Sequence, residues 1–376
     1  MTAAGPGALS GVVVADFSRV LAGPYATMML ADLGAEVIKI ERPGSGDDTR
    51  AWGPPFDSAG TPTYFGSVNR NKRSVALNLA DDEGRRRARE IVASADVVIE
   101  NFTAGTMARL GLGYADLRAG NPGLIYCAIT GFGSGGGAAL PGYDLLVQAM
   151  SGLMSITGPG PADGEPGEPV KVGVAVIDVL TGLHAALGIL AALRYRDGTG
   201  VGQRVDVDLF SVAMSSLVNQ AAGYLGAGVV PTAMGNRHPS IAPYQVFSTA
   251  TRPLVIAVGN DAQFARLAQV LGRPALATDD RFATNTSRVA HRDSLVAALT
   301  DILVTRDADH WYAALTAAGI PAGPINSIAD AFSFADTIGL DLRARIPGAA
   351  DTVANPIRLS ATPVRYHRAA PRLPDA

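Results

Sequence analysis

Asp178 is the main candidate for covalent chemistry in this sequence of 376 residues. It lies in the run 174–182, which is otherwise uncharged and mostly apolar. A lone charge in such surroundings is costly unless polar groups satisfy it. One interpretation makes Asp178 a helix N-cap that accepts backbone N–H bonds and opens a helix over residues 179–195. The other makes it a nucleophilic carboxylate, and the two interpretations are compatible.

The depth at which Asp178 can be buried is limited by its charge. A helix N-terminus stabilises an anion by about 0.3–2 kcal/mol, whereas full burial raises the pKa of an Asp by about 3–5 units. We therefore expect a nucleophilic Asp178 to be partly open and to face a cleft. With an ordinary pKa of about 3.9, it would then be almost wholly anionic at pH 7.

The other reactive side chains are weaker candidates. The single Cys127 lies in the apolar run 124–129, which predicts a buried, inert thiol and leaves no partner for an internal disulfide. No G-x-S-x-G elbow is present. The histidines show no metal-ligand spacing, so no metal site is expected. They are His184, His238, His291, His310 and His367.

A glycine-rich stretch follows one apolar run. Gly131, Gly133 and Gly136 fit the pattern G-x-G-x-x-G. A dinucleotide site also needs a helix that begins on the last glycine, so that its N-terminus meets the pyrophosphate. Here the irregular sequence continues to Pro141 before any helix can begin. We therefore favour a flexible loop over a nicotinamide dehydrogenase.

Several cationic side chains follow predicted strand ends or short loops. They are Arg42, Lys72, Arg73 and Arg109. Their spacing alone favours solvated surface charge. A phosphate-bearing ligand is the alternative, because ligands of open parallel sheets bind outside the carboxyl ends of the strands.

The elements that position these residues alternate between strand and helix. Residues 11–17 and 36–41 are apolar, β-branched runs, and Pro24 opens a helical pattern between them that Gly34 ends. The alternation recurs through residues 74–130. It predicts an α/β fold, with a Rossmann-like, doubly wound large domain.

The pattern changes after Gly226, where short apolar runs at 246–248 and 254–258 predict antiparallel strands, with helices after them. This texture is typical of a smaller α+β domain. We expect a large domain over 1–200, a linker over 201–228 and the small domain over 229–325. Residues 326–376 would form a return linker and a C-terminal tail that packs on the large domain.

Composition excludes several classes of protein. With 31 Lys and Arg against 34 Asp and Glu, the chain has no basic excess for nucleic acid. A hydrophobic share of 48% excludes a largely disordered chain. The N-terminus lacks the features of a signal peptide. The apolar stretch 172–193 contains Asp178 and His184 and is interrupted by glycines, so we expect no membrane span and a cytoplasmic protein.

Motifs along nearly the whole chain resemble family III CoA-transferases, which include formyl-CoA and carnitine CoA-transferases and are related to α-methylacyl-CoA racemase. The matching stretches are 16–24, 33–43, 71–74, 98–102, 142–144, 177–203, 235–239 and 258–261. The resemblance implies an acyl-CoA donor and a small carboxylic acid as substrates, with no permanently bound cofactor. It also implies an interlocked homodimer.

The resemblance assigns roles to particular residues. The aspartate that matches Asp178 attacks the thioester and forms a mixed anhydride, which CoA thiolate converts into an aspartyl-CoA thioester. The positions expected to bind CoA are Val20, Leu21, Ala22, Arg42, Leu77, Asn101, Phe102, Arg109 and Tyr143. Leu21 replaces a glutamine and Ala80 a lysine of formyl-CoA transferase, which argues against formyl or oxalate specificity. The loop 158–169, the segment 234–244 and a partner chain are expected to shape the acid pocket.

Two alternatives to a transferase stay open. A 2-methylacyl-CoA racemase or epimerase is disfavoured because Tyr143 stands where the racemase has its catalytic histidine. A racemase needs an acid and a base on opposite faces of the α-carbon, and tyrosine, with a pKa of about 10, suits that role poorly. A non-catalytic CoA-binding protein is the other alternative. The sequence does not identify the acid.

Overall fold

A computed structural model describes residues 6–161 and 167–374. These residues form two compact units. Unit 1 holds residues 6–154, 171–230 and 341–374, and unit 2 holds residues 155–161, 167–170 and 231–340. Asp178 and the positions expected to bind CoA belong to unit 1.

Unit 1 is built on a six-stranded parallel sheet. Its strands are β1 (Val13–Asp16), β2 (Glu36–Glu41), β3 (Lys72–Ala76), β4 (Val97–Glu100), β5 (Ile125–Thr130) and β6 (Arg204–Asp208). The order across the sheet is β3-β2-β1-β4-β5-β6. The α/β class expected from the alternating pattern is confirmed. Because the order reverses between β1 and β4, a crevice at their carboxyl ends is the expected ligand site.

Helices cover both faces of this sheet. They are α1 (Ala22–Asp32), α2 (Thr63–Val68), α3 (Asp82–Ala93), α4 (Thr106–Arg109), α5 (Tyr114–Arg118), α6 (Asp144–Met150), α7 (Val176–Thr199), α8 (Leu209–Ser216) and α9 (Val218–Ala227). Helices α1, α6, α7 and α8 contribute to one apolar core and α3, α4 and α5 to a second. Strands buried between two such layers are apolar on both faces, as Val14–Ala15 of β1 and Val97–Ile99 of β4 are.

Helix α7 is longer than the sequence pattern predicts. It begins three residues earlier than the expected residue 179 and continues to Thr199, where Gly200 at φ +73° ends it. Its length and composition would suit a membrane span, but such a pattern also fits the core helix of a soluble protein. Ala185 and Ile189 are fully buried in the unit 1 core, which favours the core helix.

Lys72 corrects one expectation, because it is not a solvated surface charge. Its ammonium is fully buried and donates to Asp16 Oδ2 at 3.2 Å, to the carbonyl of Pro24 at 2.9 Å and to Asn69 Oδ1 at 2.9 Å. Burial lowers the pKa of Lys72 to about 8, while the charge of Asp16 opposes that shift. Arg73, the next residue, is exposed as expected and pairs with Glu36 at 3.5 Å.

The C-terminal segment 341–374 belongs to unit 1 and includes β10 (Arg343–Ala344) and β11 (Thr352–Val353). Arg70 connects it to α1, since the guanidinium is bidentate to Asp32 and also donates to the carbonyl of Val353 at 2.9 Å. Asn71 adds a backbone bond to Arg368 at 2.8 Å. The segment is therefore held by buried polar contacts.

Unit 2 has its own antiparallel sheet and core. The strands are β7 (Tyr244–Phe247), β8 (Leu254–Ala257) and β9 (Ala322–Pro324), in that order. The helices are α10 (Asp261–Val270), α11 (Asn285–Ala290), α12 (Arg292–Leu303), α13 (Ala308–Ala317) and α14 (Ile328–Thr337). The antiparallel pair β7–β8 was expected, whereas β9 was missed because its Gly- and Pro-rich sequence is typical of a chain break.

Candidate active site

Asp178 lies in the first turn of α7 but does not cap that helix. The N-cap is Ala175, which makes Asp178 the third helical residue. The N-cap interpretation is therefore wrong. The expected exposure is observed, because Asp178 is half-buried and lines a cavity of about 270 Å³. Asp178 thus borders the cavity from the first turn of a helix that packs in the core of unit 1.

The side chain of Asp144, at the start of α6, caps α7 instead. Its Oδ1 accepts the N–H of Ile177 at 2.8 Å and the N–H of Asp178 at 3.1 Å. Its Oδ2 accepts from Gln148 at 2.5 Å. Sequence analysis missed this role because the cap and the helix it caps are more than thirty residues apart. Only the resemblance at residues 142–144 pointed to this position.

The electrostatic setting of Asp178 differs from expectation. Burial, and secondarily the charge of Asp144, raise the pKa of Asp178 to about 7. The expectation that Asp178 is almost wholly anionic at pH 7 is therefore wrong. A carboxylic acid with that pKa is about half protonated at neutral pH. The raised pKa also means that its ionised form is more basic than an ordinary aspartate carboxylate.

Tyr64, in α2, is a second group that sequence analysis missed. Burial, followed by the charges of Asp178 and Asp144, raises the pKa of Tyr64 to about 12. Its phenol therefore stays protonated at neutral pH and can donate a hydrogen bond. No local pattern around Tyr64 signals this shift in pKa, because it depends on burial and on charges that the fold brings close.

The cavity at Asp178 brings together four of the residues expected at the site. Ala22, at the start of α1, and Asn101 and Phe102, which follow β4, line it together with Asp178. Thr130, the last residue of β5, adds to the lining with Gly131 and Phe132, which follow it. The cavity thus opens at the carboxyl ends of parallel strands, where ligands of such sheets bind.

The other expected CoA positions lie outside the lining of this cavity. Leu21 is the N-cap of α1, and the N–H of Val20 donates to Asp47. Leu77 is buried in the core behind the sheet. The remaining three are exposed: Arg42 pairs with Asp48 at 2.9 Å, Arg109 bonds to Thr106 at 2.8 Å, and Tyr143 is the N-cap of α6. Residues 162–166 of the expected acid-pocket loop lie outside the described residues.

Asn101 joins the two strands at which the sheet order reverses. Its Oδ1 accepts the N–H of Arg19 at 2.8 Å, and its Nδ2 donates to the carbonyl of Arg19 at 2.7 Å. The Arg19 guanidinium lies 4.7 Å from the ring centroid of Phe102. The amide of Asn101 therefore fixes the loops after β1 and β4 against each other, on one side of the cavity.

The glycine-rich loop is closely packed at its base and open at its tip. A Cβ added to Gly131 would lie 2.4 Å from the Cα of Gly142, whereas one added to Gly135 would meet nothing within 4 Å. Both Gly131 and Gly142 line the cavity. Only glycine permits this approach of two backbones.

This contrast gives a first prediction. Gly131→Ala should force the loop away from the cavity and lower kcat/KM for the acyl-CoA donor that the resemblance implies, by about tenfold or more. Gly135→Ala, in the same loop, is the matched control and should leave kcat/KM within about twofold. We would measure kcat/KM for both variants by steady-state kinetics and check their folding by circular dichroism. Equal kinetics for the two variants would contradict the packing described here.

Metal and thiol chemistry find little support in the described residues. In residues 6–161 and 167–374, no group of three or more His, Cys, Asp or Glu side chains is placed to hold a metal ion. Cys127 is fully buried, and burial raises the pKa of its thiol well above the ordinary value. Among the residues that line the cavity, Asp178 is the one with a carboxylate side chain.

Comparisons with known proteins identify the family of this chain. The family model of CoA-transferase family III matches residues 9–375. Succinate--glutarate CoA-transferase of Agrobacterium fabrum is 48% identical, over 97% of this chain and 92% of that protein. Acetyl-CoA:oxalate CoA-transferase of Acetobacter aceti is 40% identical, over 98% and 94%.

A solved structure extends the agreement to the fold. The crystal structure of a CAIB/BAIF family protein from Brucella suis superposes with a TM-score of 0.87 at 44% identity, covering 98% of this chain and 97% of that one. The family match spans both units and includes Asp178. The chain belongs to CoA-transferase family III.

Proposed function

We propose that this CoA-transferase moves CoA from an acyl-CoA thioester to a short dicarboxylic acid, with Asp178 as the covalent carrier. One observation supports this most strongly. The Asp178 carboxylate faces a cavity that Ala22, Asn101 and Phe102 also line, and these are residues expected to bind CoA. A nucleophile and a thioester site in one cavity are what acyl transfer through the protein requires.

In the proposed first half of the cycle, the Asp178 carboxylate attacks the thioester carbonyl. The C–S bond breaks, CoA leaves as a thiolate, and a mixed anhydride forms. The thiolate then attacks the Asp178 carbonyl carbon and releases the donor acid as a carboxylate. This leaves an aspartyl-CoA thioester on the protein.

The second half reverses these steps with the acceptor acid. Its carboxylate attacks the aspartyl-CoA carbonyl and expels CoA thiolate, which gives a second mixed anhydride. The thiolate attacks the acceptor acyl carbon, releasing the new acyl-CoA and the free Asp178 carboxylate. No net proton, electron or water is consumed, so the cycle needs no further cofactor.

The dicarboxylate class is supported by relatives. Their names specify succinate and glutarate in Agrobacterium fabrum and Homo sapiens, and mesaconate in Haloarcula marismortui. Leu21 and Ala80, which depart from formyl-CoA transferase, argue against oxalate. We therefore favour four- and five-carbon diacids such as succinate and glutarate.

Trapping the adduct tests the proposed role of Asp178. Protein incubated with succinyl-CoA and then with hydroxylamine should carry a hydroxamate on the peptide that contains Asp178, found by mass spectrometry. Free succinate in place of the thioester is the control and should give no adduct. A hydroxamate on a different carboxyl group, or none in actively cycling protein, would overturn the proposal.

An acid panel tests the substrate class. With succinyl-CoA as donor, glutarate should be preferred over pentanoate, its monocarboxylic match in length, by about tenfold or more in kcat/KM. The reason is that a site built for a second carboxylate leaves its polar groups unpaired with a monoacid. Equal use of the two acids would contradict the dicarboxylate assignment. Deuterium wash-in at the α-carbon of a 2-methylacyl-CoA, without transfer, would favour the racemase instead.

A homodimer is proposed from exposed apolar side chains in unit 1. Leu187 of α7 is 65% exposed, Val218 of α9 is 70% exposed and Leu225 is 82% exposed. Large exposed apolar patches mark protein interfaces, and we propose that these side chains contribute to one. The interlocked arrangement, the domain limits 1–200, 201–228, 229–325 and 326–376, and the cytoplasmic location stay predictions. Light scattering should give about twice the chain mass of 38.7 kDa.

A further inference from the structure

Asp144 forms a clamp between α6 and the first turn of α7, next to the carrier carboxylate. We propose that Asp144 is a positioning residue that takes the helix amides otherwise available to Asp178 and places a second negative charge beside it. This inference rests on the proposed role of Asp178. It assigns Asp144 no contact with the substrate.

The geometry of the clamp accounts for both carboxylate oxygens of Asp144. Oδ1 accepts from the N–H groups of Ile177 and Asp178, and Oδ2 accepts from Gln148 Nε2. Gln148 is fully buried, and its Oε1 accepts the N–H of Val172 at 2.9 Å. The clamp thus connects α6, the segment before α7 and the first turn of α7.

The clamp weakens the stabilisation that a helix N-terminus usually gives to an acidic side chain such as Asp178. The first amides of a helix carry partial positive charge and stabilise an acidic side chain in the first turn. Here one of those amides, the N–H of Asp178 itself, is bonded to Asp144. Asp178 therefore shares this stabilisation with a neighbouring anion, and like charges disfavour ionisation of each other.

The charged and titratable groups around Asp178 also favour a raised pKa for its carboxyl group. Asp144 faces it from α6, and Tyr64 from α2 is a neutral phenol at pH 7. His184, six residues further along α7, bonds to the carbonyl of Leu180. Burial and the charge of Asp144 are the causes that raise the pKa of Asp178. A carboxylate made more basic in this way is a stronger nucleophile towards the thioester.

Asp144→Asn removes the charge and keeps the two bonds to α7, because the Asn amide oxygen can still accept from both helix N–H groups. It also loses the bond from Gln148, because the Asn NH2 group is a donor. In the pH profile of kcat/KM for the acyl-CoA donor, we expect the apparent pKa of the acid limb to fall by at least about half a pH unit. That is a threefold change in the apparent acid constant. The kcat at pH 8 should fall about three- to tenfold, and KM for the donor should change less than about twofold. A purely structural role would lower activity at every pH without moving the limb.

Asp307→Asn is the matched control. Asp307 caps α13 in unit 2 by accepting the N–H of His310 at 2.7 Å. Its substitution therefore also removes the charge of a capping aspartate, but at a position far from Asp178 in the sequence. The pH profile should not move. A shift of the same size in this control would show that the effect is not specific to Asp144.

A direct titration makes the test independent of how Asp144→Asn folds. Carbon NMR on protein labelled at aspartate Cγ, compared with Asp178→Asn, identifies the Asp178 resonance, which we expect to titrate about three pH units above an ordinary aspartate. Titration near pH 4 would overturn the inference even if Asp178 is essential for transfer. If instead Asp178→Asn still transfers CoA, the proposed function itself fails, so the two failures are distinguishable.

Discussion

Asp178→Asn is expected to lower the kcat of CoA transfer by about 10³- to 10⁶-fold. The same substitution should make the folded protein more stable at pH 8. The loss of rate follows because an amide cannot form the anhydride, and removing the group that carries the covalent intermediate leaves only binding and electrostatic effects. Exchange of labelled CoA between free and thioester forms measures it. Full retention of exchange would remove Asp178 from the mechanism.

The gain in stability follows from the raised pKa of Asp178. That pKa is about 7 in the folded protein against the ordinary value of 3.8, so the folded state holds its proton more tightly than the unfolded state. The wild-type protein therefore loses stability as pH rises from about 4 to about 7, and the loss is complete above pH 7. Asn does not ionise, so Asp178→Asn should raise the free energy of unfolding by about 1–3 kcal/mol at pH 8 and by little at pH 4–5.

Urea unfolding at pH 5 and pH 8 checks this effect. Asp197→Asn is the matched control, because Asp197 is in the same helix but exposed. It should change stability by less than about 0.5 kcal/mol at both pH values and leave transfer intact. Destabilisation by Asp178→Asn of equal size at both pH values would show that Asp178 is not held at an energetic cost.

Lys72→Met is expected to destabilise unit 1 by about 3–5 kcal/mol, the usual cost of removing one partner of a buried ion pair. Met fills the aliphatic volume but leaves the carboxylate of Asp16, the amide oxygen of Asn69 and the carbonyl of Pro24 without their donor. Asp16 keeps the bonds from Ser18 and Thr27, which limits the loss but does not replace a positive charge.

Arg73→Met is the matched control for Lys72→Met, one residue further along β3. Its guanidinium is 48% exposed and pairs with Glu36, which is 60% exposed. A pair of this kind contributes about 0–1 kcal/mol. Denaturant unfolding of the two variants should therefore differ by at least about 2 kcal/mol. Equal stabilities would mean that the ion pair between Lys72 and Asp16 is not closed to water.

The network around Lys72 also connects stability to the site. Asp16 ends β1, and Lys39 of β2 donates to the carbonyl of Ser18 at 2.8 Å and pairs with Asp47 at 2.9 Å. The loop after β1 is thus held by the buried ammonium of Lys39 and by the two hydrogen bonds between Asn101 and Arg19. We expect loss of Lys72 to weaken binding of the acyl-CoA donor as well as folding.

Some of the site was predictable because its signals are local. Asp178 is conspicuous as a lone charge in an apolar run. The contacts of Ala22, Asn101 and Phe102 with the cavity were expected from the resemblance. The boundaries of α7 were not, because Val174–Val176 is β-branched or small and carries no start signal.

Local order along the chain therefore determined the α/β class, the choice of Asp178 and the family. Tertiary structure alone decided how Asp178 is held. The cap from Asp144, the raised pKa, the protonated phenol of Tyr64 and the burial of Lys72 all depend on groups far apart in sequence. Hydrophobic periodicity is written in neighbouring residues, whereas desolvation and charge–charge interactions depend on distances in space, which only the folded chain sets.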